Sequence, residues 1–460
     1  MACRAPREVH IPLTAPIRDL EPCPAEHDTS VVLLNVYEGL VGYTPDLDLV
    51  PLLATSWENP SPTTWIFRLR PGVRFHDGTL LTAADAVYSI EHAKTSPFTL
   101  VREQLAHVAS ITPVDESTLQ IETRTPSSQF IHNLTLVGIV PQGSAGNGIG
   151  TGPYRLRSTG PHGVLLDSFA DYWAGRPKAD SLHFFILGPR DTLSQFSKQQ
   201  EWFIFRDASR FNEPIPRGFR FQKVMGLTVI FLAFNIQVPP FDDVRLRRAV
   251  AAAIDADAIV RERFQGNATP VCQTVPMKAF GYNPALRCTR DLARARELLK
   301  AGGIRTPLAL TLQTSPKGEK TAQMIRDNLR AIGLDLRIDV VSWTQLYPQV
   351  TAKRSSFFMF GYAGFYGSAQ FVLETFFSGT GAMNFFGYAN PKVDAWLRQA
   401  SSVLDEETQL HLLQAASAEI QNDMPVIPLY NLHDTYAVST ALEWHPRADG
   451  MILGKEIGFR

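Results

Sequence analysis

Glu26, His27 and Asp28 are adjacent, and an imidazole between two carboxylates can move protons or hold a cation. Adjacent residues rarely converge on one substrate atom, and the same triplet reads as a solvated helix N-terminus, where acids are favourable against the dipole. No nucleophile elbow, HExxH or paired-carboxylate motif accompanies it, so no catalytic residue is assigned. Gly148, Gly150 and Gly152 are spaced like a phosphate loop. No Lys-Ser/Thr follows and Pro153-Tyr154 leads into a strand, so a tight turn is the better reading. Cys272 and Cys288 flank a Pro/Gly/Asn-rich loop and can pair in an oxidising compartment. Without CxxC or a Cys/His cluster, neither a metal site nor a cofactor is expected.

These residues must be positioned by a scaffold whose mid-point is Val229 to Asp255. Val229-Ile230-Phe231-Leu232-Ala233-Phe234 is a continuous apolar run, as in a strand buried on both faces. Pro239-Pro240 ends it, Asp242 is placed to cap a helix, and Val244, Ala249, Val250, Ala253 and Ile254 recur at helical spacing through Asp255. Val31 to Leu40 also has helical spacing. Trp65 to Leu69 alternates as a half-buried strand, and Thr82 caps a helix carrying Ala86, Val87 and Ile90. Beyond the mid-point, helices beginning at Asp291 and carrying Ala322 to Ile332 alternate with strands at Leu308–Leu312 and Leu334–Val340. That order requires parallel crossovers and an α/β lobe, completed by helices near 391–404 and 407–422.

At 460 residues and 45% hydrophobic, the chain can bury two or three cores. A net charge of −1 with no long Lys/Arg run argues against nucleic acid as a partner. The uncharged stretch from Ser355 to Leu373 approaches a membrane span in length, but its glycines favour a strand leading into a loop. No signal peptide is visible. Ala2-Cys3 suits the end of a lipoprotein signal with Cys3 acylated; otherwise Cys3 can pair with Cys23.

Three strings, Leu53-Ala54-Thr55-Ser56-Trp57-Glu58, Trp65 through Thr79, and Leu81-Thr82-Ala83-Ala84-Asp85-Ala86-Val87-Tyr88-Ser89, resemble the signature of extracytoplasmic solute-binding proteins of oligopeptide, dipeptide and nickel ABC importers, family 5. Gly150-Thr151-Gly152-Pro153-Tyr154, Tyr172-Trp173-Ala174-Gly175-Arg176-Pro177, Tyr388 through Asp394 and Pro425 through Tyr430 extend the match in the family's order over nearly the whole chain. The resemblance implies an α/β, two-lobed periplasmic-binding-protein fold of type II, large cluster, with an extra subdomain. Its parts map to 1–48 (lobe I), 49–149 (extra subdomain), 150–232 (lobe I), 233–429 (lobe II) and 430–460 (return to lobe I).

It also implies a monomeric periplasmic or membrane-anchored receptor that closes its hinge on a small molecule and delivers it to a membrane ABC permease. In peptide-binding members a loop Asp meets the ligand's amino group and an Arg precedes it. Laying Gly361-Tyr362 on the family's Gly-Trp puts Phe365 at the Asp position and Met359 at the Arg position. An unpartnered buried ammonium is costly, so the expected ligand is a neutral, glycosidic, opine-like or amphiphilic molecule. The alternatives are a peptide receptor with another amino-terminus contact, or a nickel-chelate or haem receptor. Expected contacts are the aromatic residues Trp343, Tyr362, Phe365, Tyr366, Phe386 and Tyr388, with Asn384; Asn235 and Tyr430, in the segments 233–235 and 427–430 that the resemblance implies cross between the lobes; and Glu26, His27, Asp28 and His433.

Overall fold

The computed structural model describes residues 6–23, 26–198, 201–211, 213–363 and 367–460. The chain forms two compact units, Met1–Val224 with Asp434–Arg460, and Met225–His433. The apolar run at mid-chain is the end of a longer strand, Phe219–Phe234, whose opening residues, 219–224, are mixed polar and apolar and belong to the first unit. The sequence placed the lobe limits at 233 and 429. The boundary falls inside this strand and inside Val426–Ser439, where no turn residue marks it.

In the first unit, Glu8–Leu13 lies parallel to both Ser181–Ile186 and Trp202–Arg206. Gly163–Ser168 and Tyr154–Gly160 extend the sheet antiparallel on one side, and the end of Val426–Ser439 pairs with Trp202–Arg206 on the other. Alternation then sorts the faces. Val9, Ile11, Leu182, Phe184, Ile204, Tyr436 and Trp444 bury on one side. Leu193, Phe203, Phe205 and Phe219 bury on the other. The same unit holds a four-stranded sheet from Ala54–Ser61, Thr64–Leu69, Thr118–Thr123 and Val108–Pro113, with Phe67, Ile121, Ala86 and Ile90 in one core. Its helix Ala83–Lys94 starts in a capping box, Thr82 Oγ1 donating to Asp85 Oδ2 at 2.7 Å.

Two local readings change. The helix near residue 31 is His27–Leu33: Asn35 is fully buried and its side chain donates to Ile452 O and accepts from Gly454 N, which holds the chain out of further helical turns. Asp243, not Asp242, caps Val244–Ala253, and Asp255 starts the next helix, Ala256–Phe264, by accepting from Ala258 N at 2.8 Å. Gly152 is explained by close approach, since a Cβ there would lie 2.6 Å from the Asn35 and Val36 carbonyl oxygens.

In the second unit, Leu308–Thr314 and Leu334–Val340 pair in parallel with helix Glu319–Arg330 between them. Phe357–Ala363 runs antiparallel to Phe219–Phe234, with Phe231 opposite Phe360. After it comes a helix, Ala369–Phe377, that the glycines before it obscured in the sequence. No helix among the described residues is long and apolar enough to cross a membrane. Cys272 and Cys288 form a disulfide with their Cα atoms 5.5 Å apart. Closing a loop of that 16-residue separation stabilises by about 3 kcal/mol. Reduction is therefore expected to lower the denaturant midpoint, with Cys272→Ser/Cys288→Ser reproducing the loss and insensitive to reductant.

Candidate functional site

In the first unit the residues with free chemistry gather where strands end. Asp28 is not among them: its Oδ2 accepts from Thr14 N, Thr14 Oγ1 and Ala15 N at 2.7, 2.6 and 3.0 Å, fixing the turn after the first strand. Glu26 is exposed and pairs with Arg18 at 3.2 Å. His27 differs. Both of its ring nitrogens are buried with no hydrogen-bond partner elsewhere among the described residues. Burial first, then the Arg206 cation, holds its pKa down at about 4.

Arg206 is the last residue of Trp202–Arg206, opposite Tyr436, and its guanidinium lies 3.5 Å from Asp434, two residues earlier on the partner strand. Both side chains keep about a quarter of their surface, 29% and 23%. Burial raises the Asp434 pKa while Arg206 opposes the rise. Gly450, at φ +73°, lies against the pair: an added Cβ would sit 3.0 Å from Arg206 Nη2 and 3.1 Å from Asp434 Oδ2. The neighbouring Asp449 is held by Arg447 at 2.7 Å. Sequence reasoning missed this group, because Arg206, Asp434 and Gly450 sit in no shared motif and meet only through strand pairing.

A folded-state pKa of about 4 against 6.5 for free imidazole means that between those values the unfolded chain binds the extra proton. Stability at this site is thus complete above pH 6.5 and is lost as pH falls toward 4. His27→Gln is expected to flatten the difference in unfolding free energy across that window relative to wild type, measured by denaturant melts at stepped pH.

In the second unit, Trp343 follows the carboxyl end of Leu334–Val340 and is 46% exposed, with its ring 5.3 Å from Tyr347 and 5.4 Å from Phe360. Ligands of open α/β sheets commonly bind outside such strand ends. A cavity of ≈ 320 Å³ is lined by Tyr347, Thr351, Lys353, Gly379, Thr380, Gly381, Ala382, Asn384 and Phe385. Asn384 braces the loop around it, donating to Tyr388 O and accepting from Tyr388 N. Tyr362 is half-buried, edge-on to Phe376 at 4.8 Å. Phe365 and Tyr366 lie outside the described residues.

The other expected contacts in this unit are packing or backbone-bracing residues. Phe386 is fully buried against Phe377 and Phe376. Tyr388 is 3% exposed and donates to Asp423 at 2.7 Å. Tyr430 packs in the core with its ring tilted against that of Phe264, centroids 4.6 Å apart. Asn235 is buried, donating to Lys353 O and accepting from Gln237 N. His433 Nε2 is 2.9 Å from Thr269 Oγ1. Met359 faces the core beside Thr314, so no ligand charge would be presented from that position.

The profile of bacterial extracellular solute-binding proteins, family 5 (middle), matches residues 48–384. A glutathione-binding protein of Pectobacterium atrosepticum is 28% identical, the match covering 92% of this chain and 88% of that one. Among solved structures, the periplasmic binding protein DppA of Helicobacter pylori in complex with the peptide STSA superposes with a TM-score of 0.79 at 21% identity, covering 98% of each chain. NikA of Staphylococcus aureus in complex with Ni(L-His)2 superposes at 0.78 and 20% identity, covering 98% of this chain and 99% of that one. At these identities the structures share the two-lobed fold with this chain, and each ligand is that protein's own.

Proposed function

Because the chain belongs to the bacterial extracellular solute-binding proteins of family 5, the extracytoplasmic substrate-binding receptors of ABC importers, we propose that its cargo is a small peptide-type solute of the glutathione class, recognised through Arg206 and Asp434. The observation that carries this reading is the partly exposed Arg206–Asp434 pair beside the uncharged His27. A guanidinium binds carboxylate in fork geometry, and a carboxylate accepts from an ammonium. The ends of a zwitterionic peptide carry both groups. At 3.5 Å the pair is looser than a direct charge-assisted bond, so each member is able to exchange its partner for a ligand end.

The first unit thereby supplies the charges that the sequence reading found missing at Met359 and Phe365. A different amino-terminus contact was the alternative to a neutral ligand, and Asp434 is placed for it better than Asp28, which is occupied, or Glu26, which is paired and exposed. The ligands named for the relatives above are glutathione, a peptide and a nickel–histidine complex, and none of these is glycosidic or opine-like.

The test is calorimetric titration with glutathione, di- and tripeptides, a glycoside and nickel with histidine. Binding of glutathione or a short peptide, weakened when either terminus is blocked, supports the proposal; binding of the glycoside alone contradicts it. One observation favours a nickel–histidine chelate as second reading, namely the unpartnered His27 ring. In that case nickel with histidine binds to wild type and is lost in His27→Gln.

A further inference from the structure

We propose a second site in the first unit, built from residues other than those above, in which Glu8, His10 and His183 bind a divalent metal of the Zn2+ class. Glu8 and His10 are two apart on one strand and therefore share a face of the sheet. The parallel register sets His10 directly beside His183 and Glu8 beside Ser181. The three residues offer ligand atoms that all lie within 4.8 Å of one another, the only such group among the described residues.

The two Nδ1 atoms are 3.2 Å apart. Tetrahedral coordination with bonds of about 2.05 Å has edges of about 3.3 Å, so the imidazoles already stand at chelating distance. Metal binding requires both Nδ1 atoms unprotonated, which places each ring proton on Nε2. For His10 that nitrogen faces a carboxylate oxygen of Glu201 at 3.6 Å, an outer partner of the kind that orients a ligating histidine. The Ser181 hydroxyl donates to Glu8 Oε2 at 3.0 Å and orients the third ligand. Glu8 keeps 35% of its surface, which gives an ion an entry path.

The surroundings favour the ligating form. The His10 ring lies 5.0 Å from the Phe203 ring, and the His183 ring 6.0 Å from that of Phe185. The carboxylates of Glu8 and Glu201, 3.5 and 3.6 Å from the His10 ring, supply negative charge to a cation. Two imidazoles and one carboxylate suit an ion of the Zn2+ class rather than Mg2+ or Ca2+. A bound ion would tie the first strand to Ser181–Ile186.

Tag-free protein is titrated with ZnCl2 and, separately, with Co2+ followed by its visible d–d absorption. The expected result is one ion per chain, a rise in melting temperature with Zn2+, and a four- or five-coordinate cobalt spectrum. His183→Asn and Glu8→Gln, both at partly exposed positions, should each weaken Zn2+ at least tenfold with unchanged circular dichroism, while His27→Gln leaves it intact. Absence of micromolar binding in wild type, or binding that survives His183→Asn but not His27→Gln, overturns the proposal. The latter outcome would leave the cargo reading for nickel standing.

Discussion

Arg206→Met is expected to raise the Kd for glutathione or a short peptide about ten- to a hundredfold, with little change for any uncharged solute. A hydrogen bond to a charged group contributes roughly 1.5–3 kcal/mol, which converts to that range. The substitution keeps the length and apolar stem of the side chain, so it tests charge rather than packing. It also leaves Asp434 without its cation 3.5 Å away, and the raised pKa of that carboxyl should rise further. A carboxyl with a raised folded pKa costs stability as pH increases through its unfolded value. The variant should therefore lose stability above about pH 4 relative to wild type, an effect separable from binding by melting the unliganded protein. An unchanged Kd with an intact fold would remove Arg206 from the recognition surface.

Arg447→Met is expected to be the most destabilising of the substitutions considered, by about 3–5 kcal/mol, as when one partner of a buried ion pair is removed. The Arg447 side chain is 3% exposed and pairs with Asp449 and Glu456, each at 2.7 Å. It also donates to the Tyr43 and Thr44 carbonyls. Losing it strands two carboxylates and two backbone acceptors at once. Because Gly450 N donates to Arg447 O and Gly450 abuts Arg206 and Asp434, binding should weaken in the same variant. Lysine cannot reproduce the fork, so Arg447→Lys should recover only part of the loss. Urea unfolding of wild type and both variants measures the difference, and a midpoint within error of wild type for Arg447→Met would show that the network contributes nothing net.

Local features were legible in the sequence because their causes are local. The Thr82 cap, the Asp291 cap and the alternation of Leu308–Thr314 and Leu334–Val340 follow from neighbouring residues, and the structure contains each. Features set by register were not. His10 and His183 are 173 positions apart, and only the parallel pairing of their strands brings them together. Arg206 and Asp434 meet in the same way, at the end of a strand pair. Aromatic type also misled: Phe386, Tyr388 and Tyr430 look like Trp343 in composition, but neighbouring rings bury the first three while Trp343 emerges beyond a strand end. Asp28 offered a carboxylate in the right segment, yet three donors from Thr14 and Ala15 occupy it.

The most direct test of the cargo assignment is native mass spectrometry of the purified protein, before and after loading with an equimolar mixture of glutathione, short peptides and glycosides, followed by denaturation to identify what is released. The account predicts one glutathione- or peptide-type molecule per chain, with its occupancy sharply reduced in Arg206→Met. Release of a glycoside or other uncharged molecule, with peptides excluded, would contradict it.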